Sequence, residues 1–158
     1  ILCNGSMHIE LAKLRTIQKL LKNKITGKWV AKLANQALFN RNIRNIYFDS
    51  KKVSQTELNE MWHQINYNNG RNVIHLLSNY INERYYFWHR WIGALKQATI
   101  ETKIVWATHD PIAVKEIADL LHKEIPNNTL FWLQNTGHFP MLENPKEWSK
   151  LVLKDKVI

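Results

Sequence analysis

Asp110 and His138 are the two side chains whose types and positions are suited to acid–base chemistry. Asp110 lies three residues after the apolar run KIVWA (103–107), and His138 lies five residues after the apolar run TLFWL (129–133). Short runs of this kind are typical of buried parallel strands. In open α/β sheets, sites form in the loops at the carboxyl ends of the strands. We therefore expect the two side chains to meet at one edge of a sheet.

An acid that orients an imidazole and an imidazole that moves protons are two members of a hydrolytic triad. Gly137 is expected to let the backbone turn tightly before the imidazole, and Phe139 and Pro140 are expected to shield it from water. Taken singly, a histidine in a loop is more often a surface residue, and an aspartate before proline is more often a turn former. The hypothesis therefore depends on the two residues as a pair.

The first 98 residues are predicted to be mainly helical, because their apolar residues recur at helical spacing. Ser54 and Glu57 form the sequence pattern of a capping box, which predicts a helix start there. Residues 40–52 are predicted to be irregular, and NYNNGR (66–71) is predicted to be a turn. The predicted apolar stripes are Leu11, Leu14, Ile17 and Leu21; Trp29, Val30, Leu33 and Ala37; Leu58, Met61, Trp62 and Ile65; Val73, Ile74, Leu77 and Ile81; and Tyr85, Trp88, Trp91, Ile92 and Leu95.

After residue 100 the pattern changes to strand, loop, helix, strand, loop, helix. The first of these helices carries Val114, Ile117 and Leu121 and is expected to end near Pro126, and the second is expected to begin at Asn144–Pro145. ILCN (1–4) is a candidate third strand. A βαβ unit is the building block of an α/β sheet, so the predicted fold class is α/β.

Composition limits the classes of function. The chain has 158 residues, a single cysteine and a net charge of +9, and no stretch approaches the roughly 18 unbroken apolar residues of a membrane-spanning helix. Residues 1–100 hold 15 Lys and Arg but five Asp and Glu. Such a segment can attract anions, nucleic acid or acidic lipid. However, the basic residues are scattered rather than clustered, which is more typical of a solvated helical surface, and we expect no tight nucleic-acid binding.

No cofactor or metal site is expected from the sequence. The histidines show no metal-ligand spacing such as H-E-x-x-H, and there is no glycine-rich phosphate loop. The five glycines, Gly5, Gly27, Gly70, Gly93 and Gly137, are never four residues apart, so the chain contains no G-x-S-x-G nucleophile elbow.

Three segments together resemble the α/β-hydrolases, and in particular the mesoderm-specific transcript group near the epoxide hydrolases and haloalkane dehalogenases. They are WATHDPIAV (106–114), NTGHFPMLENP (135–145) and YINERYYFWHRWIGAL (80–95). The acid loop matches over 107–111, and the histidine loop matches at His138, Pro140, Glu143 and Pro145. The opening LCNGSM resembles the end of the strand before a helical cap, and the acid precedes the histidine as in α/β-hydrolases.

The resemblance implies three regions in the chain and assigns catalytic roles to two of its residues. Residues 1–7 would end a core strand, residues 8–98 would form a helical lid, and residues 99–158 would form the C-terminal α/β core. Asp110 and His138 would be the catalytic acid and histidine. Related dehalogenases carry the acid after the earlier strand. In this sequence that position is near Asn4, whose side-chain amide cannot serve as the acid. A nucleophile, expected to be an aspartate that forms an ester, would lie upstream of Ile1.

The chain is therefore expected to be the C-terminal part of a hydrolase and to be inactive alone. The expected partner is a small-molecule substrate of the whole protein. The resemblance implies membrane association at the endoplasmic reticulum through an upstream part, and a cytoplasmic location is the alternative. The alternative hypothesis is a non-catalytic, hydrolase-like scaffold that binds a protein partner or a membrane surface through its basic helical region. A nucleophile within an upstream elbow would favour the enzyme, whereas Gly or Ala there would favour the scaffold. The lid aromatics remain unassigned, since aromatics at helical spacing are more often core.

Overall fold

A parallel, three-stranded sheet forms the base of the molecule. The computed structural model describes residues 1–153. The strands are β1 (Leu2–Cys3), β2 (Thr102–Ala107) and β3 (Asn128–Leu133), in the spatial order β1-β2-β3. Both pairings are parallel, with Leu2 opposite Ile104 and Ile104 opposite Leu130. All three strands therefore end at the same edge of the sheet.

Helices make up most of the rest of the described chain. A 3-10 segment, Tyr67–Val73, connects α4 to α5, and it includes Asn68 and Asn69 at positive φ. The helices are α1 (Thr16–Leu21), α2 (Gly27–Leu33), α3 (Gln36–Arg44), α4 (Gln55–Asn66), α5 (Ile74–Leu77), α6 (Tyr80–Lys96), α7 (Lys115–Glu124), α8 (Pro140–Glu143) and α9 (Pro145–Leu153). We call the segment from α1 to α6 the helical region.

The core lies on β2 and the helix that follows it. Ile104 and Trp106 are completely buried and pack with Ile117 and Leu121 of α7. The Trp106 indole donates to the carbonyl oxygen of Ala113 at 2.8 Å, which satisfies its one polar atom. Helices α7 and α9 both contact β2, and five of its six residues are buried, as expected for a covered parallel strand. This packing fixes the position of the loop between β2 and α7.

A cluster of ionisable side chains around the buried His8 ties the segment before α1 to α6 and α7. The imidazole of His8 is 2% exposed and lies between Glu10 and Glu124, at 2.6 Å and 2.9 Å. Lys96, at the end of α6, contacts the other oxygen of Glu124 at 2.9 Å. The buried imidazole thus has an acceptor at each ring nitrogen, and three separate segments are held together.

The structure confirms the α/β class and most of the predicted elements. ILCN supplies a strand, KIVWA and TLFWL are parallel strands, and α7 and α9 lie where they were predicted. The capping box is present, since the Ser54 side chain accepts from Glu57 N and Glu57 accepts from Ser54 N. The last five residues of the expected core region 99–158 lie outside the described part of the chain.

Three predictions for the helical region were wrong in detail. The helix expected from Leu11 begins only at Thr16, because residues 8–14 form irregular turns in which Lys13 N donates to Ile112 O. Residues 40–44 of the segment predicted to be irregular belong to α3, which Asn35 caps by accepting from Leu38 N. The helix expected from Val73 to Ile81 is interrupted after Leu77, so Ile81 belongs to α6.

In residues 1–153, no helix is long and apolar enough to cross a bilayer.

Candidate active site

The three strands deliver three polar side chains to one edge of the sheet. Asn4 directly follows β1, Asp110 lies in the loop after β2, and His138 lies in the loop after β3. Because the strands are parallel, their loops project from the same edge. The predicted meeting of Asp110 and His138 is confirmed: His138 Nδ1 lies 2.8 Å from Asp110 Oδ2.

The carboxylate of Asp110 is fixed by backbone and side-chain donors. Its Oδ1 accepts from the amides of Ile112 and Ala113 at 2.8 Å and 2.9 Å. Its Oδ2 accepts from Asn4 Nδ2 at 2.9 Å, in addition to the contact with His138. The side chain is completely buried. A buried carboxylate with this many donors behaves as an acceptor, so the proton in the contact with His138 lies on Nδ1.

This proton placement leaves Nε2 of His138 as the free acceptor of the ring. The His138 side chain is 25% exposed, whereas the Asp110 side chain behind it has no exposed surface. Within residues 1–153, no side chain hydrogen-bonds to Nε2 of His138. An imidazole held by a buried acid at one nitrogen and accessible at the other can accept a proton from a nucleophile or a water.

Asn4 contacts the loops that follow all three strands, and sequence reasoning missed it as a candidate site residue. Its Oδ1 accepts from Ala107 N at 2.9 Å, and its Nδ2 donates to Asp110 and to the carbonyl oxygen of Gly137. It has a φ of 38°, in the left-handed region that asparagine tolerates better than most residues. The sequence signal for such a role was the asparagine that directly follows a strand and precedes a glycine.

Glu143 fixes the backbone of the histidine loop. Its carboxylate accepts from the amides of Gly137 at 3.0 Å and Phe139 at 3.2 Å, on either side of His138. It also accepts from Phe48 N, at 2.8 Å, in the segment between α3 and α4. His138 N donates to the carbonyl oxygen of Ile46 in that same segment at 2.9 Å. The position of the imidazole is therefore coupled to the helical region.

Gly137 is required here for a different reason from the one expected. Its φ is not positive, so the backbone does not need glycine for a left-handed turn. Instead, a Cβ at this position would lie 2.5 Å from Phe48 N and 2.6 Å from Ile46 O. Only glycine allows the segment 46–48 to approach the histidine loop this closely.

Phe139 shields the imidazole on one side, as expected. Its ring packs edge-on against His138, with centroids 5.2 Å apart, and it also contacts the ring of Tyr47. Pro140 is buried. These contacts form an apolar wall beside the ring, while part of the imidazole remains accessible.

Two apolar cavities lie in the helical region, and one of them begins at Phe139. The first is a groove of about 480 Å³ that Phe139 lines together with side chains of α3, α4 and α5. The second has about 250 Å³ and lies between α1, α2, α3 and α4. Phe39, Ile65 and Ile74 line both cavities, so the two are neighbours. The volume of the larger cavity is within the range of small-molecule sites, whereas the volume of the smaller one is below it.

Cys3, beside Asn4, is not a suitable nucleophile. Burial raises the pKa of the Cys3 thiol, and the negative charge of Asp110 raises it further, against a lowering effect of the Trp148 hydrogen bond. The indole nitrogen of Trp148 donates to Cys3 Sγ at 3.4 Å. A thiol kept protonated is a poor nucleophile.

The aromatic side chains of α6 are mostly not core, which contradicts the expectation for helical spacing. Tyr85 is 47% exposed, Tyr86 75% and Trp88 43%, and Tyr67 outside α6 is 73% exposed. The helix buries Ile81 and Ile92 instead.

In the described part of the chain, no group of three or more His, Cys, Asp and Glu side chains is arranged to hold a metal ion.

Comparison with known proteins agrees with this fold. No family model matches the chain. Over 153 residues the chain is 32% identical to a protein named hydrolase LipZ from Mycobacterium tuberculosis, covering 97% of this chain and 53% of that protein. It is 33% identical over 147 residues to the mesoderm-specific transcript homolog protein of Homo sapiens, covering 91% of this chain and 44% of that protein. The chain thus spans about half the length of these relatives.

Two crystal structures share the fold at low sequence identity. Cfl2 from Burkholderia cenocepacia superimposes with a TM-score of 0.68 at 12% identity, over 87% of this chain and 46% of its own. The serine hydrolase CCSP0084 from Cycloclasticus zankles gives 0.63 at 16% identity, over 89% of this chain and 50% of its own. The chain is an α/β-hydrolase-fold protein. Within that class, its sequence is similar to LipZ and to the mesoderm-specific transcript proteins.

Proposed function

We propose that this chain supplies the acid and the histidine of a hydrolytic triad, with Asp110 as the acid and His138 as the proton carrier. The observation that carries the proposal is the 2.8 Å contact between His138 Nδ1 and the completely buried carboxylate of Asp110. An acid in this position fixes the tautomer of the imidazole and stabilises the imidazolium formed during the reaction. The nucleophile would come from a part of the protein outside this sequence, which has no G-x-S-x-G elbow.

The proposed reaction is hydrolysis of the epoxide hydrolase and dehalogenase type. An aspartate nucleophile attacks the substrate carbon, the C–O or C–halogen bond breaks, and an alkyl ester of the aspartate forms. A halide leaves as the anion, whereas an epoxide oxygen stays on the substrate and takes a proton from solvent. His138 Nε2 then takes a proton from a water, and the water oxygen attacks the ester carbonyl carbon. The protonated His138 then gives this proton to the departing alkoxide oxygen, so the alcohol is released and the aspartate is regenerated. The resemblance of the acid and histidine loops to that group supports this type over a serine mechanism.

The helical region would act as the lid in this proposal. The groove that begins at Phe139 adjoins the histidine loop and is lined mainly by apolar side chains such as Ile43, Ile65 and Leu77. Such a lining suits an apolar substrate and would exclude water from the reacting atoms. The backbone contacts of Ile46 and Phe48 with the histidine loop would align this lid with the imidazole.

The test uses the protein from its complete coding sequence, as wild type and as His138→Ala, on panels of epoxides, haloalkanes and aryl esters. With an aspartate nucleophile, His138→Ala still forms the ester but cannot hydrolyse it, so intact-protein mass spectrometry shows a stable adduct. With a serine nucleophile, the histidine is needed for the first step, and no adduct accumulates. An absence of turnover and adduct on all panels would contradict the proposed function.

A further inference from the structure

We propose that one outer surface of the helical region docks on an anionic phospholipid bilayer. This surface, which we call the α1–α2 face, belongs to α1, α2 and the turn between them. It is separate from Asp110 and His138, and the proposal does not depend on the hydrolytic function. The α1–α2 face consists of Lys19, Leu20, Lys24, Ile25, Lys28, Trp29, Lys32 and Leu33, all of which are exposed.

The α1–α2 face exposes large apolar side chains in a row. Ile25 is 79% exposed, Trp29 62% and Leu33 75%. They are four residues apart, and helical hydrogen bonds such as Gly27 N to Asn23 O and Val30 N to Thr26 O run through this segment. Residues at this spacing lie on the same side of a helix. Single exposed apolar residues are ordinary, but an aligned group of this size marks an interaction surface.

The packing of α1 and α2 does not require these exposed side chains. The inward side of α2 carries Ala31, which is 1% exposed, and Val30, which lines the smaller cavity. Ile17 and Leu21 of α1 line the same cavity. The two helices therefore already have an apolar face turned to the protein, and Ile25, Trp29 and Leu33 form a second, outer one.

A row of lysines runs alongside the apolar row. Lys24, Lys28 and Lys32 are also four residues apart, and each directly precedes one of the three apolar residues. From residue 11 to residue 48 the sequence has nine Lys and Arg but no Asp or Glu. Within residues 1–153, none of these three lysines forms an ion pair. The positive charge of the face is therefore uncompensated by neighbouring side chains of this segment.

Cations beside aliphatic and indole side chains fit a lipid surface better than a nucleic acid. Lysines attract the negatively charged headgroups of acidic lipids. Tryptophan is favoured at the membrane–water interface, and isoleucine and leucine gain from burial among acyl chains, as in other interfacial amphipathic surfaces. Binding to the phosphates of a nucleic acid would use the lysines alone and would leave Ile25 and Leu33 in water.

The experiment measures vesicle binding and locates it on the chain. The protein from its complete coding sequence is mixed with vesicles of phosphatidylcholine containing roughly a quarter phosphatidylserine, enough for a negative surface. Vesicles of phosphatidylcholine alone serve as the reference. We expect co-sedimentation with the anionic vesicles that weakens as salt is added. Hydrogen–deuterium exchange should slow in residues 19–33 when these vesicles are present, a result that a membrane anchor elsewhere would not produce.

Two variants separate the apolar and the charged contributions. The triple change Lys24→Glu, Lys28→Glu, Lys32→Glu should weaken anionic-vesicle binding at least about tenfold and abolish the protection of 19–33. Trp29→Ser should reduce the same protection while leaving the thermal melting unchanged, because the side chain is exposed. The control Lys51→Glu, Lys52→Glu, a double charge reversal on exposed lysines outside the face, should bind as the wild type does.

Three outcomes would overturn the proposal. The first is unchanged exchange in residues 19–33 with anionic vesicles. The second is an equal loss of the protection in the Lys51, Lys52 control. The third is a mobility shift of a short DNA duplex that is lost when Lys24, Lys28 and Lys32 are changed to Glu, combined with no protection of residues 19–33 by vesicles. This result would assign the face to nucleic acid.

Discussion

Asn4 and Asp110 are joined by a hydrogen bond between neighbouring strand ends, with Asn4 Nδ2 2.9 Å from Asp110 Oδ2. The same carboxylate oxygen contacts His138 Nδ1 at 2.8 Å. Asn4 also accepts from Ala107 N at the end of β2 and donates to Gly137 O, directly before His138. The acid therefore has a fixed orientation before any substrate binds, and an amide rather than a second acid occupies the end of β1.

Asn4→Gly should lower kcat by about tenfold to a hundredfold with little change in KM, because small misplacements of a reacting group are costly. Glycine tolerates the positive φ at this position, so the change removes the side-chain contacts without adding backbone strain. The measurement is steady-state kinetics of the protein from its complete coding sequence. Asn68→Gly, at another positive-φ asparagine, is the matched control. Equal kinetics for the two variants would show that Asn4 does not position Asp110.

Glu143→Gln should lower the free energy of unfolding by about 1–3 kcal/mol. The carboxylate accepts three backbone N–H groups, and an amide offers only one oxygen in its place, so at least one donor, partly buried for Gly137 and Phe139, loses its partner. Denaturant unfolding measures the change. Glu147→Gln removes a carboxylate of α9 that is 46% exposed and only 3.7 Å from Lys150, and it should have almost no effect. A similar loss in both variants would refute the role of Glu143 in the histidine loop.

Gly137→Ala and Gly93→Ala should have opposite effects. At Gly137 the added Cβ would lie within 2.8 Å of Phe48 N, Ile46 O and Glu143 Oε1, and we expect a destabilisation of about 1–3 kcal/mol or more. At Gly93, within α6, no heavy atom lies within 4 Å of the added Cβ. Alanine should therefore stabilise the protein by up to about 1 kcal/mol through its helix propensity. Thermal unfolding of both variants tests this, and an unaffected Gly137→Ala protein would argue against the close approach.

Tyr47→Phe should stabilise the protein by about 1 kcal/mol at neutral pH, because the hydroxyl is buried without a hydrogen-bond partner in residues 1–153. Burial, followed by the charges of Glu57 and Glu143, raises the pKa of Tyr47 to about 12. A tyrosine whose pKa is higher in the folded than in the unfolded chain favours folding below pH 10, and this contribution is lost as the pH rises from about 10 to 12.

The difference in stability between Tyr47→Phe and the wild type should therefore widen across that alkaline range. Denaturant unfolding at neutral pH and at several alkaline pH values measures it. A phenylalanine variant that is less stable than the wild type at neutral pH would mean that the hydroxyl has a partner after all.

Features with a local sequence signal could be predicted from the sequence. A buried parallel strand is typically a short apolar run, so the central strand β2 was evident, and the similar run of the edge strand β3 was evident too. The capping box of α4 is complete within four residues. Because parallel strands bring their loops to one edge, the contact of Asp110 with His138 also followed from the order of elements.

Features that depend on distant contacts could not be predicted in this way. The turns before α1 form because Lys13 N bonds to Ile112 O, which no local periodicity reveals. Asn4 and Glu143 act through backbone groups that are brought near only by the fold, as in the contact between Glu143 and Phe48 N. Glycine is likewise required at position 137 because Ile46 and Phe48, some 90 residues away in the chain, approach its backbone closely.

The catalytic role of His138 is the central claim, and its most direct test is kcat of His138→Ala on a substrate that the wild-type protein hydrolyses. We expect multiple turnover to fall by about a thousandfold or more, with unchanged thermal unfolding, since the side chain is partly exposed and Asp110 keeps its other donors. His63→Ala, an exposed histidine of α4, should retain wild-type activity. A folded His138→Ala protein that turns over as fast as the His63→Ala control would contradict the claim.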